Sequence, residues 1–263
     1  MQYYTAIELA KSGYTVLMLV RESEKPKETF EEIKTKSKND NVELYFADLS
    51  LQDSIKNVID KISKKHKVLD VLINNAGLMK RKEELTKDGI ESTLAVNYFA
   101  TFLLTNLLLP IIEKSNSGRI INISSELYTK GKIDISNLAT SKNFNGSKAY
   151  ANSKLLVAFF TKELSEKLNN KNITVNCVHP GVIGSDVFRE YPNIFNKLLN
   201  MFMSSPEEGA KPSIYLATSQ EVEGITGKYF YKTKTKPFIK ILEDNVLAKK
   251  IWEESLKIAN LKS

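Results

Sequence analysis

The chain has 263 residues, 42% of them hydrophobic and 26% charged, with a formal net charge of +7 at neutral pH. That length suits one large α/β domain or two small ones, and buries roughly 70 to 75% of the unfolded surface without staples. The basic excess is interleaved with carboxylates, as in KEELTKDGIE, so no concentrated basic face with stacking aromatics marks a nucleic-acid partner.

A single cysteine, Cys177, excludes an internal disulfide and fits a reducing compartment. Within ITVNCVHPG it reads as a buried strand residue rather than a reactive thiol. No apolar run approaches the roughly 20 residues of a membrane span. The longest candidate, FLLTNLLLPII, is interrupted by Asn106 and Pro110. Gln2, Thr5 and Glu8 in the first ten residues are unlike a signal peptide. The expectation is a soluble, cytoplasmic protein.

In chain order, YYTAIELAKSG reads as a helix stopped by Gly13, and YTVLMLVR as a strand buried on both faces. KETFEEIKTKS is a polar helix and NVELYFADLS a strand, with Ser50 placed to cap the helix LQDSIKNVIDKISKKH. LDVLINNAG is a strand, residues 84–115 read as helical, and GRIINISS is a strand. SKAYANSKLLVAFFTKELSEKLN is helical, NITVNCVHPG a strand, and PEEGAKPSIYLAT a helix. A last strand lies near GKYFYK, and NVLAKKIWEESLKIA is the final helix. Alternation of this kind predicts a single doubly wound, Rossmann-like α/β domain with a parallel sheet. Its ligand site lies outside the carboxyl ends of the strands, which here carry Arg21, Asp48, NNAG, SS and HPG.

Two tyrosines stand four residues ahead of a lysine: Tyr128 with Lys132 and Tyr150 with Lys154. Gly131 lies between the first pair and favours a turn, where the spacing carries no geometric meaning. The second pair lies near the start of a strongly periodic helix, where residues i and i+4 share a face. An ammonium there favours the phenolate of a group whose ordinary pKa is near 10, and so prepares Tyr150 for proton exchange with an alcohol or carbonyl oxygen. Ser125 ends a strand, where its hydroxyl can bond the reacting oxygen. Asn97 is a polar residue in an apolar helix, buried with partners or functional.

NNAG after a strand, Asn97 in the next helix, Ser125 after the following strand, YANSK and HPG occur in that order. Together they resemble the short-chain dehydrogenase/reductase family over nearly the whole chain. The spacing from Ser125 to Tyr150 and the run HPGVIGSDV are most similar to its retinol-dehydrogenase-like branch. The resemblance implies Tyr150 as acid/base, Lys154 as its tuning cation and a ribose contact, Ser125 rather than Ser124 as substrate positioner, and Asn97 as anchor of a relay water. Asp48 and Leu49 match the pair bordering the adenine. Asn75, Ala76 and Gly77 match the segment packed on the adenine ribose. Ile183 and Ser185 match the stretch meeting the nicotinamide amide, although the family more often has threonine where Ser185 stands.

The strand TVLMLV ends in Val20 and Arg21, with no carboxylate before Glu22, which favours NADPH over NADH. VFREYPNIFNKLLNMFM is either plain packing or a cover over a hydrophobic substrate of retinoid, steroid or lipid-aldehyde type.

The family's first strand and its T-G-x-x-x-G-I-G turn, which hold the pyrophosphate, have no counterpart ahead of MQYYTAIELAKSG. An N-terminally incomplete domain is therefore expected, with an unfilled slot between the TVLMLV and VLINNAG strands. Two functions follow. One is an NADP(H)-dependent oxidoreductase interconverting a hydrophobic alcohol and its carbonyl. The other is a truncated, inactive form acting as a binding or regulatory protein. The sequence sets no oligomeric state, and a homo-oligomer is allowed. Relatives often carry an N-terminal membrane anchor.

Overall fold

The computed structural model describes residues 1–140, 143–182 and 204–261. Helix α1 (Gln2–Lys11) ends at Gly13, whose φ of 84° lies in the left-handed region that reverses the chain into β1 (Val16–Val20). There follow α2 (Glu24–Ser37), β2 (Val42–Phe46), α3 (Gln52–Lys65) and β3 (Val71–Asn74). The long helix α4 consists of Ser92–Leu94, a π-helical turn at Ala95–Phe99, and Ala100–Ile112. Next come β4 (Gly118–Ile123), α5 (Gly146–Lys167), β5 (Ile173–His179), α6 (Pro206–Thr218), β6 (Tyr229–Tyr231), β7 (Lys234–Lys236) and α7 (Asn245–Ile258).

Strands β1 to β6 pair only in parallel, and β7 adds an antiparallel edge against β6. Helices cover both faces. Leu103 and Phe102 of α4, Leu155 and Phe159 of α5 and Ile251 of α7 pack with Ile120, Val175 and Cys177 from one face of the sheet. Leu9 of α1 and Leu216 of α6 pack with Ile121, Val178 and Phe230 from the other. This is the doubly wound arrangement expected from the alternation of elements.

The sheet is broken at one place. β1 pairs with β2, and β3 to β7 form a separate five-stranded sheet. The break falls between β1 and β3, where the resemblance expects a further strand. The two free edges nonetheless belong to the same layers. Val16, Val71 and Ile73 pack beside the α1–α6 cluster, and Leu17, Leu19 and Leu72 against the α4–α5 cluster. All five residues of β1 are only partly buried, whereas β5 is buried at six of its seven positions.

Three local expectations need correction. The helix expected from residue 84 begins at Ser92, because Gly89 (φ 74°) turns the chain and a bridge between Leu85 and Glu91 closes it. Glu91 then caps the helix, its carboxylate accepting from the N–H groups of Thr93 and Leu94 at 2.8 and 3.0 Å. Ser50 does not cap α3. Its hydroxyl donates to Asp48 Oδ1 at 2.7 Å, and the first free N–H, that of Gln52, is taken by Asp88 Oδ2 at 2.8 Å. The run Ser92–Ile112 is a 21-residue helix of mean hydropathy 1.7, long and apolar enough to cross a bilayer, but 78% of its most apolar window is buried inside the protein.

Candidate active site

The carboxyl ends of β3, β4 and β5 converge on the first two turns of α5. Asn145 opens that helix by accepting the Lys148 N–H at 3.0 Å. Tyr150 and Lys154 then share its inward face, and both are buried, at 7% and 3% exposure. The Lys154 Nζ lies 5.6 Å from the centre of the Tyr150 ring and donates to the Ile123 carbonyl, at the end of β4, at 2.8 Å. The Ser125 hydroxyl lies close enough to the Tyr150 phenol to favour its ionised form slightly, and it accepts the Leu127 N–H at 3.3 Å as cap of the turn Glu126–Lys130. Ser124 is buried too, but its hydroxyl has no partner among the described residues.

Asn97 sits in the middle of the π-helical turn, a local widening common at functional sites. Its side chain is fully used: Oδ1 accepts the Leu78 N–H at 2.8 Å, and Nδ2 donates to the Leu78 carbonyl and to Ser153 Oγ at 2.9 and 3.0 Å. Ser153 in turn donates to the Tyr150 carbonyl at 2.7 Å. Asn97 thus ties the loop after β3 to the backbone of the helix that carries Tyr150. Ser153 escaped the sequence reading, although its place three residues after Tyr150 puts it on the same face.

Gly77 completes the floor. A Cβ built there lies 3.5 Å from Asn97 Oδ1 and 3.6 Å from Lys154 Nζ, in ordinary contact with both, so this backbone lies directly against the site. Just below, Asn74 Nδ2 donates to Thr105 Oγ1 and Asn122 Oδ1, and Asn122 Nδ2 to Thr161 Oγ1, all within 3.0 Å. This buried ladder fixes β3, β4, α4 and α5 relative to one another.

Burial governs the electrostatics. The sequence reading had Lys154 lowering the Tyr150 phenol; instead burial pushes it up to about 12, against a smaller lowering by the nearby Ser125 hydroxyl. Burial also lowers Lys154, to about 8, which the nearby Cys177 only partly offsets. At pH 7 the site holds a neutral phenol beside a cation that is costly to keep.

Arg21 and Asp48 lie within electrostatic reach of each other at the other end of this edge. Burial pushes the Asp48 carboxyl up, but hydrogen bonds from Ser50 and the Arg21 charge outweigh it and leave it lowered. Leu49 packs on the α4–α5 core. Between the two ends Asn75 has a buried Oδ1 without a partner among the described residues. Ile183, Ser185 and the stretch VFREYPNIFNKLLNMFM lie outside the described residues. Tyr128 is buried against Tyr229 (ring centres 4.9 Å apart), whereas Lys132 is exposed, so that pair shares no face. A cavity of about 330 Å³ opens at the opposite end of the sheet beside Gly118, Asn172 and Thr226, away from this chemistry.

A doubly wound sheet with a buried Ser–Tyr–Lys set at its carboxyl edge defines a class, the nucleotide-dependent oxidoreductases. Within it, residues 3–193 match the family model described as short chain dehydrogenase. The chain is 37% identical to mouse "Retinol dehydrogenase 13" over 98% of its own length and 80% of that protein's. It is 34% identical to human "Polyprenol dehydrogenase", with 98% and 82% covered. A solved Mycobacterium paratuberculosis protein superimposes with a TM-score of 0.78 at 27% identity, covering 99% and 89% of the two chains. A Shigella flexneri short chain dehydrogenase complexed with NADP has the same fold, with a TM-score of 0.68, 21% identity and 88% and 91% covered. The chain belongs to the short-chain dehydrogenase family, in its retinol-dehydrogenase-like branch, and is an oxidoreductase by family.

Proposed function

We propose that the protein interconverts a hydrophobic alcohol and its carbonyl with NADP(H), Tyr150 exchanging the proton. The observation that carries this reading is the gathering of buried Tyr150, Lys154 and Ser125 at the carboxyl ends of β3, β4 and β5, with the Lys154 Nζ 5.6 Å from the Tyr150 ring centre. The residues fit the cofactor at both ends. Gly77 leaves room beside Lys154, the orphan Asn75 Oδ1 offers an acceptor, and Arg21 is exposed next to Asp48. When bound, the cofactor supplies or accepts hydride.

The rest belongs to this chain. Lys154 would hold the nicotinamide ribose, and it keeps a positive charge beside the phenol. Ser125 orients the substrate oxygen. A phenol raised to about 12 keeps its proton at neutral pH, so the set is poised to donate it to an oxygen gaining charge, the event of carbonyl reduction. Asn97 holds the loop after β3 and, through Ser153, the helix that carries Tyr150. Arg21 can grip a 2′-phosphate, which no neutral side chain does as well. An apolar substrate agrees with the names of the retinol and polyprenol dehydrogenases to which the chain is similar.

A second reading is a binding or regulatory protein that keeps the fold without turnover. Thermal unfolding of the chain with NADPH and with NADH, followed by turnover of an apolar aldehyde, separates the two. A ligand that binds only the folded state raises the melting temperature. The oxidoreductase reading expects a shift with NADPH, a smaller one with NADH, and turnover that Tyr150→Phe reduces at least a hundredfold. A folded chain that shifts with neither cofactor refutes it in favour of the second.

A further inference from the structure

His179 closes β5 on the same face as Cys177, pointing to the side of the sheet that carries Tyr150. It is 6% exposed, yet neither ring nitrogen has a hydrogen-bond partner among the described residues. Buried polar atoms are nearly always paired, so an orphan imidazole at this edge calls for a reason. Its Nε2 lies 3.9 Å from Oε2 of the half-exposed Glu126, beyond a hydrogen bond but within electrostatic reach. The ring leans on Tyr231, with centres 5.4 Å apart. Four charges face it: Glu126 from the turn after β4, Lys154 from α5, and Lys232 and Lys236 from the β6–β7 hairpin. Burial, the largest influence, lowers the imidazole from its ordinary range, and only Glu126 opposes. The ring is therefore neutral at pH 7.

Glu126 directly follows Ser125, and Ser125 caps the turn that begins with Glu126. We propose that His179 is a positioning residue for Ser125, acting through Glu126: the neutral ring offers its Nε2–H to the Glu126 carboxylate and steadies the turn that aims the Ser125 hydroxyl. Protonation replaces this dipolar pull by an ion pair and adds a cation near Lys154. Both draw Glu126, and the turn with it, from the working arrangement. The inference rests on the role given to Ser125 and Tyr150 above.

The test has two arms. In the first, the pH profile of NADPH-dependent aldehyde reduction is taken between pH 5 and 9. The wild type loses kcat on the acid side as His179 protonates. His179→Gln lacks this limb and has a kcat about three- to tenfold lower at pH 7.5, with KM for the aldehyde within twofold. Glu126→Gln, at an exposed position that folding tolerates, moves the limb to lower pH, because the carboxylate is what favours the protonated ring. The same limb in all three proteins overturns the proposal.

The second arm needs no turnover. His66 is the only other histidine, so imidazole resonances are readily assigned by NMR. The Ser125 and Leu127 amide signals should follow the His179 titration in the wild type and not in Glu126→Gln. Amides that ignore the titration overturn the proposal even in an active enzyme. A chain without turnover sinks the oxidoreductase reading and leaves this arm to decide the present one.

Discussion

Lys154 makes the proposed catalytic set a burden on folding, and that burden can be weighed. Its ammonium is buried at 3% exposure and titrates near 8 instead of 10.5. A displacement of that size corresponds to about 3 kcal/mol against folding at pH 7. One charged hydrogen bond, to the Ile123 carbonyl at 2.8 Å, returns roughly 1.5 to 3 kcal/mol. Lys154→Met, close in length and uncharged, is thus expected to leave stability at pH 7 unchanged or raised by up to about 1.5 kcal/mol, while abolishing turnover. The decisive quantity is the pH dependence of the difference. Below pH 8 both native and unfolded wild type carry the proton, and the full cost is present. Between 8 and 10.5 the unfolded chain binds a proton that the native one has released, so wild-type stability rises with pH relative to the variant. A little over 1 kcal/mol should be recovered between pH 7 and 9, or about 0.4 M in the urea midpoint for a slope near 3 kcal/mol/M. The other buried titrating groups are common to both proteins and cancel. A difference that stays flat with pH, or a variant destabilised by more than about 2 kcal/mol at pH 7, refutes the assignment of Lys154 as a desolvated cation.

Gly131 is expected to tolerate no side chain, because a Cβ there would stand 2.7 Å from the Ala151 carbonyl and 2.8 Å from Leu155 Cβ. Gly131→Ala should cost about 1 to 3 kcal/mol in denaturant unfolding and lower activity by displacing α5, whereas Gly224→Ala, with open space around it, tests only backbone strain. Arg21→Ala should weaken NADPH binding about tenfold or more and leave NADH unchanged, measured by titration calorimetry; equal losses for both cofactors exclude a 2′-phosphate contact. Burial pushes the Glu43 carboxyl up, but bonds from Lys65, Tyr45 and His66 outweigh it and bring it down to about 2. Its stabilisation is present above the ordinary range near 4.5 and is lost as pH falls toward 2. Glu43→Gln should cost about 1 to 2 kcal/mol at pH 6 and almost nothing at pH 2. Asn97→Ala should lower both melting temperature and kcat, because it frees the Leu78 backbone and Ser153 together.

The parts of this protein that were legible in the sequence are those fixed by local periodicity or by a compact motif. A continuous apolar run identified β1, and the face shared by positions i and i+4 brought Tyr150 and Lys154 together where Tyr128 and Lys132 stayed apart. Gly131 separated those pairs for a reason the sequence did not show. It is not at positive φ but lies against α5, where the chain passes too close for a Cβ. Features set by partners far along the chain were illegible. The cap of α3 comes from Asp88 rather than Ser50, and the edge strand β7 exists by pairing with β6. Spacing places a cation near the Tyr150 phenol, but the burial that raises the phenol comes only from the packed structure.

The same distinction bears on the split sheet. Val16 and Leu17 on one side, and Val71, Leu72 and Ile73 on the other, are shaped for strands buried on both faces, and both edges already lie between the two helical layers. Edges built this way favour one occupant, a further parallel strand of four or five residues that is apolar on both faces. An added strand of that kind joined ahead of α1 should raise the melting temperature, whereas one of alternating polar and apolar residues should not, because one of its faces would bury polar groups without partners.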